Sequence, residues 1–133
     1  MLIAYVDAYL QNALTNAQFI VDKQMMDSGA LFHSYKNGKS TIDGFSEDYA
    51  HSIAAFIDLY QATFDEKWLS QAKNLMEYTI DHFMSKESGM FYFTSNKASN
   101  LITRKTEVFD NVISSSNSIL ADSLFKLGHY YSD

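Results

Sequence analysis

Residues 46–86, SEDYAHSIAAFIDLYQATFDEKWLSQAKNLMEYTIDHFMSK, decide the fold class. Tyr49, Ile53, Phe56, Ile57, Tyr60 and Phe64 recur at helical spacing, which predicts a helix over about 47–63 with Ser46 as its N-cap. Asp65 then offers an N-cap to a second helix, whose Trp68, Leu69, Ala72, Leu75, Met76, Thr79 and Phe83 share one face out to about Lys86. Only two or three residues around Asp65 join the two, and so short a link makes them antiparallel neighbours. Trp68, opening the apolar stripe, is expected to be buried.

The same periodicity continues outward on both sides. Ile3, Val6, Leu10, Leu14, Ala17, Phe19, Ile20 and Val21 form a wide apolar stripe, predicting a helix over roughly 3–25. Near the other end, a fourth helix from about Ser115 gathers Ile119, Leu120, Leu124 and Leu127, with Tyr130 and Tyr131 extending the pattern. Without proline and with only five glycines, nothing in the chain obliges these helices to kink. The two remaining links are long, roughly 20 and 28 residues, and each carries a β-like run. Residues 30–35 precede Asn37-Gly38, and Met90 to Thr94 precede Ser95-Asn96, so a small hairpin is expected in each. Because each long link follows an odd-numbered helix and precedes an even-numbered one, both should lie at one end of the helices.

Composition narrows the function classes. The chain has 133 residues, 47% of them hydrophobic, which suits one domain with a buried core. A net charge of −6 with scattered Lys and Arg excludes a nucleic-acid interface of the phosphate-neutralising kind. The lack of cysteine excludes disulfides, thiolate zinc sites and thiol nucleophiles. No apolar run is long enough for a membrane span, and Asp7, Gln11 and Asn12 break the opening segment as a signal peptide. The expectation is a soluble, cytoplasmic protein without membrane contact.

The long links also begin alike. Ser28-Gly29-Ala30-Leu31-Phe32 matches Ser88-Gly89-Met90-Phe91-Tyr92 at a shift of 60 residues, and Phe56, Ile57 and Leu59 match Leu124, Phe125 and Leu127 at a shift of 68. The pattern reads as a repeated helix, loop with hairpin, helix. Units of this kind bury one face against a neighbour, and two of them make an incomplete set. An ordinary four-helix arrangement whose loops merely share Ser-Gly before aromatics is the competing reading.

Several short motifs occur in a familiar order: Gly44-Phe45-Ser46-Glu47-Asp48-Tyr49-Ala50, Leu59-Tyr60-Gln61-Ala62-Thr63, Trp68-Leu69, Arg104-Lys105-Thr106-Glu107, and Asp110 through Ser115-Ser116-Asn117-Ser118. Together they resemble the C-terminal helical region of the thioredoxin-domain-containing family typified by spermatogenesis-associated protein 20. The resemblance implies an all-α fold in which helical hairpins form part of an (α/α) toroid of the six-hairpin glycosidase type. Residues 1–133 would then be a single partial toroid domain, with repeat units of about 3–63 and 66–131 and its site on the loops at one end. It also implies further hairpins and an N-terminal thioredoxin-like domain elsewhere in a longer chain. The pattern departs at Ser114, where family members usually carry proline, and this softens the start of the last helix.

Function is read from polar residues at those loop ends. Glu47 and Asp48 open a helix, where carboxylates either cap the backbone or serve a carbohydrate as catalytic groups and hydroxyl acceptors, with Asp110 as a third catalytic candidate. Tyr49 is an aromatic wall for a sugar or a core residue. Arg104 with Glu107 can hold an anionic or polar ligand or lock its loop. Asn117 can touch a ligand or cap the last helix, and His33, among the aromatics Phe32 and Tyr35, is the histidine expected to face a cleft. His33, His51, His82 and His129 lack metal-ligand spacing, so no metal and no cofactor are expected. The reading is a carbohydrate-processing or carbohydrate-binding toroid segment. The alternative is a noncatalytic helical interaction module that pairs with further hairpins or a second copy through Val6, Leu10, Leu14 and Val21.

Overall fold

A computed structural model describes the backbone of residues 2–98, 104–106, 109 and 113–132, and the side chains from residue 5 onward. The elements run α1 (Leu2–Phe19), a π-helical turn (Ile20–Gln24), β1 (Phe32–Lys36), β2 (Lys39–Asp43), α2 (Ser46–Thr63), α3 (Glu66–Phe83) and α4 (Ser116–Tyr131). The fold is mostly helical, with a small two-stranded antiparallel sheet.

The central hairpin follows its sequence closely. Trp68, Leu69, Ala72, Leu75, Met76, Thr79 and Phe83, the whole expected face of α3, are buried. Trp68 keeps 2% of its surface exposed and tilts against Phe56, with ring centroids 5.5 Å apart. Asp65 caps α3 by accepting a hydrogen bond from the Lys67 N–H. Phe64, expected on the α2 stripe, is instead its C-cap: it takes a left-handed conformation (φ 56°) and points into solvent, which lets α2 reverse into α3 within two residues. The N-cap of α2 is Phe45 rather than Ser46. Ser46 is the first helical residue, and its buried hydroxyl lacks a partner among the described residues.

α2 is the central helix, packing on α3 and α4 and more loosely on α1. Its Ile53, Phe56 and Ile57 are fully buried with Leu75 and Leu120. Burial of about 1.5–3 kcal/mol per such side chain makes this α2–α3–α4 layer the stabilising unit. α1 contributes little to it. Among the described residues of its stripe only Ala17 is buried, Leu10, Leu14, Ile20 and Val21 are half-buried, and Val6 and Phe19 are exposed.

The first link contains the expected hairpin, with Phe32 opposite Asp43 and Ser34 opposite Thr41, closed by Asn37 and Gly38, both at positive φ. The second link departs from expectation among the described residues. Tyr92 bridges Thr106, and the Phe93 N–H donates to the Lys105 carbonyl 2.6 Å away. Ser95-Asn96 does open a turn, the Ala98 N–H donating to the Ser95 carbonyl at 3.2 Å, but the strand pairing closes farther along the link and Asn96 is tied to the end of α3. Its N–H donates to the His82 carbonyl (2.8 Å), and its Oδ1 lies 3.0 Å from His82 Nδ1. The two links meet, as their connectivity requires: the Ser46 N–H donates to the Phe93 carbonyl, and Phe45 stacks on Phe93 at 4.8 Å.

Candidate functional site

Each long link opens with a similar backbone device, one residue longer in the second. In the first, Met26 N–H donates to the Ala30 carbonyl, Gly29 N–H to the Met26 carbonyl, and Met25 bridges Leu31. In the second, Ser85 N–H donates to the Met90 carbonyl, Gly89 N–H to the Ser85 carbonyl, and Met84 bridges Phe91. Gly29 and Gly89 both stand at positive φ (82° and 71°), which only glycine adopts without strain. Ser28 and Ser88 hydroxyls each accept from the N–H two residues on.

The following helix clamps each turn in place. Tyr49 of α2 accepts a 2.7 Å hydrogen bond from the buried Leu31 N–H. Asn117 of α4 accepts one of 2.7 Å from the Phe91 N–H and returns one of 2.9 Å to the Phe91 carbonyl. Tyr49 and Asn117, both candidate ligand contacts, thus hold equivalent points of the two links. Tyr49 is 2% exposed, and its stripe position makes it core; burial pushes its phenol well above the ordinary tyrosine range, while the Leu31 hydrogen bond opposes this in part.

His33 and Asp48 are brought together. Asp48 sits in the first turn of α2, and its carboxylate accepts from the Phe45 N–H at 2.8 Å, half of a capping box, since Phe45 has no side-chain acceptor to reciprocate. The same carboxylate meets His33 Nδ1 from β1 at 2.9 and 3.1 Å. The His33 ring packs edge-on against Phe45 at 5.1 Å, so the stack Phe45–Phe93 fixes the pair from the second link. With Nδ1–H donated to a carboxylate, the neutral ring carries its lone pair on Nε2.

Beside this pair lies a pocket of about 380 Å3 lined by Gln24, Phe32, Glu47, Asp48, His51 and Ser52, among others. Glu47 makes no ion pair among the described residues, and Gln24 Nε2 donates to the Phe32 carbonyl at 3.2 Å. His51 was legible as the residue one turn after Glu47. Gln24 was not, because its place depends on the π-helical turn.

Arg104 is a lock for the second link. Its Nε donates to the Thr94 carbonyl (3.0 Å) and Nη2 to the His82 carbonyl (3.0 Å) as well as to Thr94, while the guanidinium lies 4.2 Å above the Tyr92 ring. A cation there suits the negative end of α3, where it shares the His82 carbonyl with the Asn96 N–H. Burial lowers its pKa, with Tyr92 opposing. Ser115 caps α4 by accepting from the Ser118 N–H. Glu107 and Asp110 lie outside the described residues. Among the described residues no group of three or more acidic, histidine or cysteine side chains could hold a metal, and no helix is long and apolar enough to cross a membrane.

No family model matches the chain. It is 31% identical over 130 residues to spermatogenesis-associated protein 20 of Homo sapiens, covering 89% of this chain and 16% of that protein. It is 27% identical over 124 residues to the protein of the same name from Rattus norvegicus, covering 85% and 16%. An uncharacterized protein of Caenorhabditis elegans is 30% identical over 128 residues, covering 90% and 17%. The chain thus spans about a sixth of the length of these relatives, to which it is distantly related.

Proposed function

We propose that this distant relative of spermatogenesis-associated protein 20 is a segment of a larger helical toroid whose link-bearing end receives a carbohydrate. Glu47 and Asp48, with Asp110, are the acid–base candidates in this reading, His33, Arg104 and Glu107 the further candidates for ligand contact, and Tyr49 and Asn117 shape the loops. The observation that carries it is the pocket over Glu47 and Asp48, walled by the first link and by Ile113 of the second, where residues bearing carboxylates, an amide, a hydroxyl and an aromatic ring stand together. Sugar hydroxyls need such acceptors and donors, and a sugar's apolar ring face suits Phe32. The repeated loop device supports the toroid, because it is how one helix–loop–helix unit presents its loop beside the next.

Glu47 is the better reactive candidate of the adjacent pair. Asp48 is engaged by Phe45 and His33, whereas Glu47 keeps its oxygens available among the described residues. The test is an amide-shift NMR titration with glucose, mannose and N-acetylglucosamine into the tens of millimolar range. Saturable shifts at Glu47, His51 and Ser52, abolished by Glu47→Gln, are expected. Absence of any saturable shift with all three sugars refutes the carbohydrate reading.

One observation favours the noncatalytic module instead. Val6, Tyr9, Leu10 and Ala13 of α1 and Phe56 and Leu59 of α2 line an apolar groove of about 620 Å3, and Val6 and Tyr9 are 59% and 72% exposed. Such a face suits a symmetric dimer through α1 or a neighbouring hairpin. Light scattering after size exclusion separates the readings: a dimer broken by Leu10→Lys with Leu14→Lys supports the module, and a clean monomer removes self-association.

A further inference from the structure

A second cleft, of about 240 Å3, opens where the links meet and shares with the first pocket only the wall made by Leu31 and Phe32. Asp43 at the end of β2, Tyr78 of α3, Ser28 of the first link, and Ser95 and Lys97 of the second also line it. Neither Asp43 nor Lys97 has an ion-pair partner among the described residues. Lys97 is held by other means: its backbone N–H donates to Ser95 Oγ at 3.1 Å, and its ammonium lies 5.1 Å from the Tyr78 ring centroid. Tyr78 is in turn fixed by parallel stacking on Tyr49, at 5.6 Å and 4°. Residues bearing one carboxylate, one ammonium and two serine hydroxyls therefore border the cleft beside an aromatic ring held in place by stacking.

The charge pattern selects the ligand. A simple anion would be drawn to Lys97 but repelled by Asp43, and a simple cation the reverse. A molecule carrying both charges compensates both at once. The volume falls below the roughly 300–1,000 Å3 usual for drug-sized ligands, which confines the occupant to a small metabolite. We propose that this cleft binds a small zwitterion of the α-amino-acid type, its ammonium on Asp43, its carboxylate on Lys97 and its side chain along Tyr78.

The site is independent of the carbohydrate reading, and the experiment keeps them apart. Glycine, L-serine and L-methionine are titrated into the full chain while amide shifts are followed, with acetate and ethylamine as single-charge controls. The expected result is saturable shifts at Ser28, Asp43, Ser95 and Lys97 for at least one zwitterion, weakened at least about tenfold by Asp43→Asn and by Lys97→Ala. Glu47→Gln should leave them unchanged. Both substituted side chains are exposed, so each variant keeps its core, which its own spectrum verifies. No saturable shift with any of the three zwitterions overturns the proposal. So do equal affinity for acetate or ethylamine, and shifts that survive both substitutions.

Discussion

Replacing Asn117 by alanine isolates the clamp that fixes the second link. Asn117 is 8% exposed and Phe91 4%, so water does not readily take over the two hydrogen bonds of 2.7 and 2.9 Å that the amide makes with the Phe91 backbone. A buried donor or acceptor deprived of its partner costs about 1–3 kcal/mol, so the Phe91 N–H and carbonyl together cost roughly 2–6 kcal/mol. That is a large part of the approximately 5–15 kcal/mol stability of a typical domain. With a urea slope of about 2 kcal/mol per M, the denaturation midpoint should fall by about 1–3 M. Asn117→Asp sharpens the test. It keeps an acceptor for the Phe91 N–H but sets a buried negative charge against the Phe91 carbonyl, and only protonation restores a donor. Its loss should therefore shrink on acidification, whereas that of Asn117→Ala should not. Urea denaturation at neutral and mildly acidic pH measures both. A change below about 0.5 kcal/mol for Asn117→Ala, the range of ordinary surface substitutions, would refute the clamp.

The first link has its own critical points. An added Cβ at Gly44 would stand 2.7 Å from the Leu31 carbonyl oxygen and 3.1 Å from the Tyr49 ring, so Gly44→Ala should cost about 1–3 kcal/mol in thermal unfolding. Gly128 of α4 meets nothing within 4 Å, and Gly128→Ala should instead stabilise by about 0.5–1 kcal/mol. Tyr49 has its pKa raised by burial, so its contribution is fully present below the unfolded value of about 10 and is lost as pH rises through the folded value. Ultraviolet titration should show a tyrosine step that coincides with alkaline unfolding; Tyr49→Phe should remove that step while weakening the first link.

Legibility followed the length of the pattern. The α3 face was readable in full because an amphipathic helix repeats its signal over several turns, and the N-cap Asp65 needs only its own side chain. Ser46 misled because helix boundaries shift by a residue when the carboxylate of Asp48 takes over the Phe45 N–H. Met90 to Thr94 read as one strand of a local hairpin, yet their partners are Met84 and Thr106, since backbone pairing is set by what lies alongside and not by the next turn-forming dipeptide. At the site, Glu47 and Asp48 were visible as a pair, but the union of Asp48 with His33, 15 residues earlier, was not.

The sequence by itself determined four helices, their order, the tight α2–α3 reversal and the likeness of the two links, because each is written in local spacing and in residues such as Gly29 and Gly89 whose backbone preference is their own. Tertiary structure alone decided that Tyr49 and Asn117 face inward as clamps, that Arg104 closes the end of α3, and that Asp43 and Lys97 border one cleft. Side chains with several competing uses are assigned by whichever partner the packed chain brings within hydrogen-bonding distance, and that partner is distant in sequence.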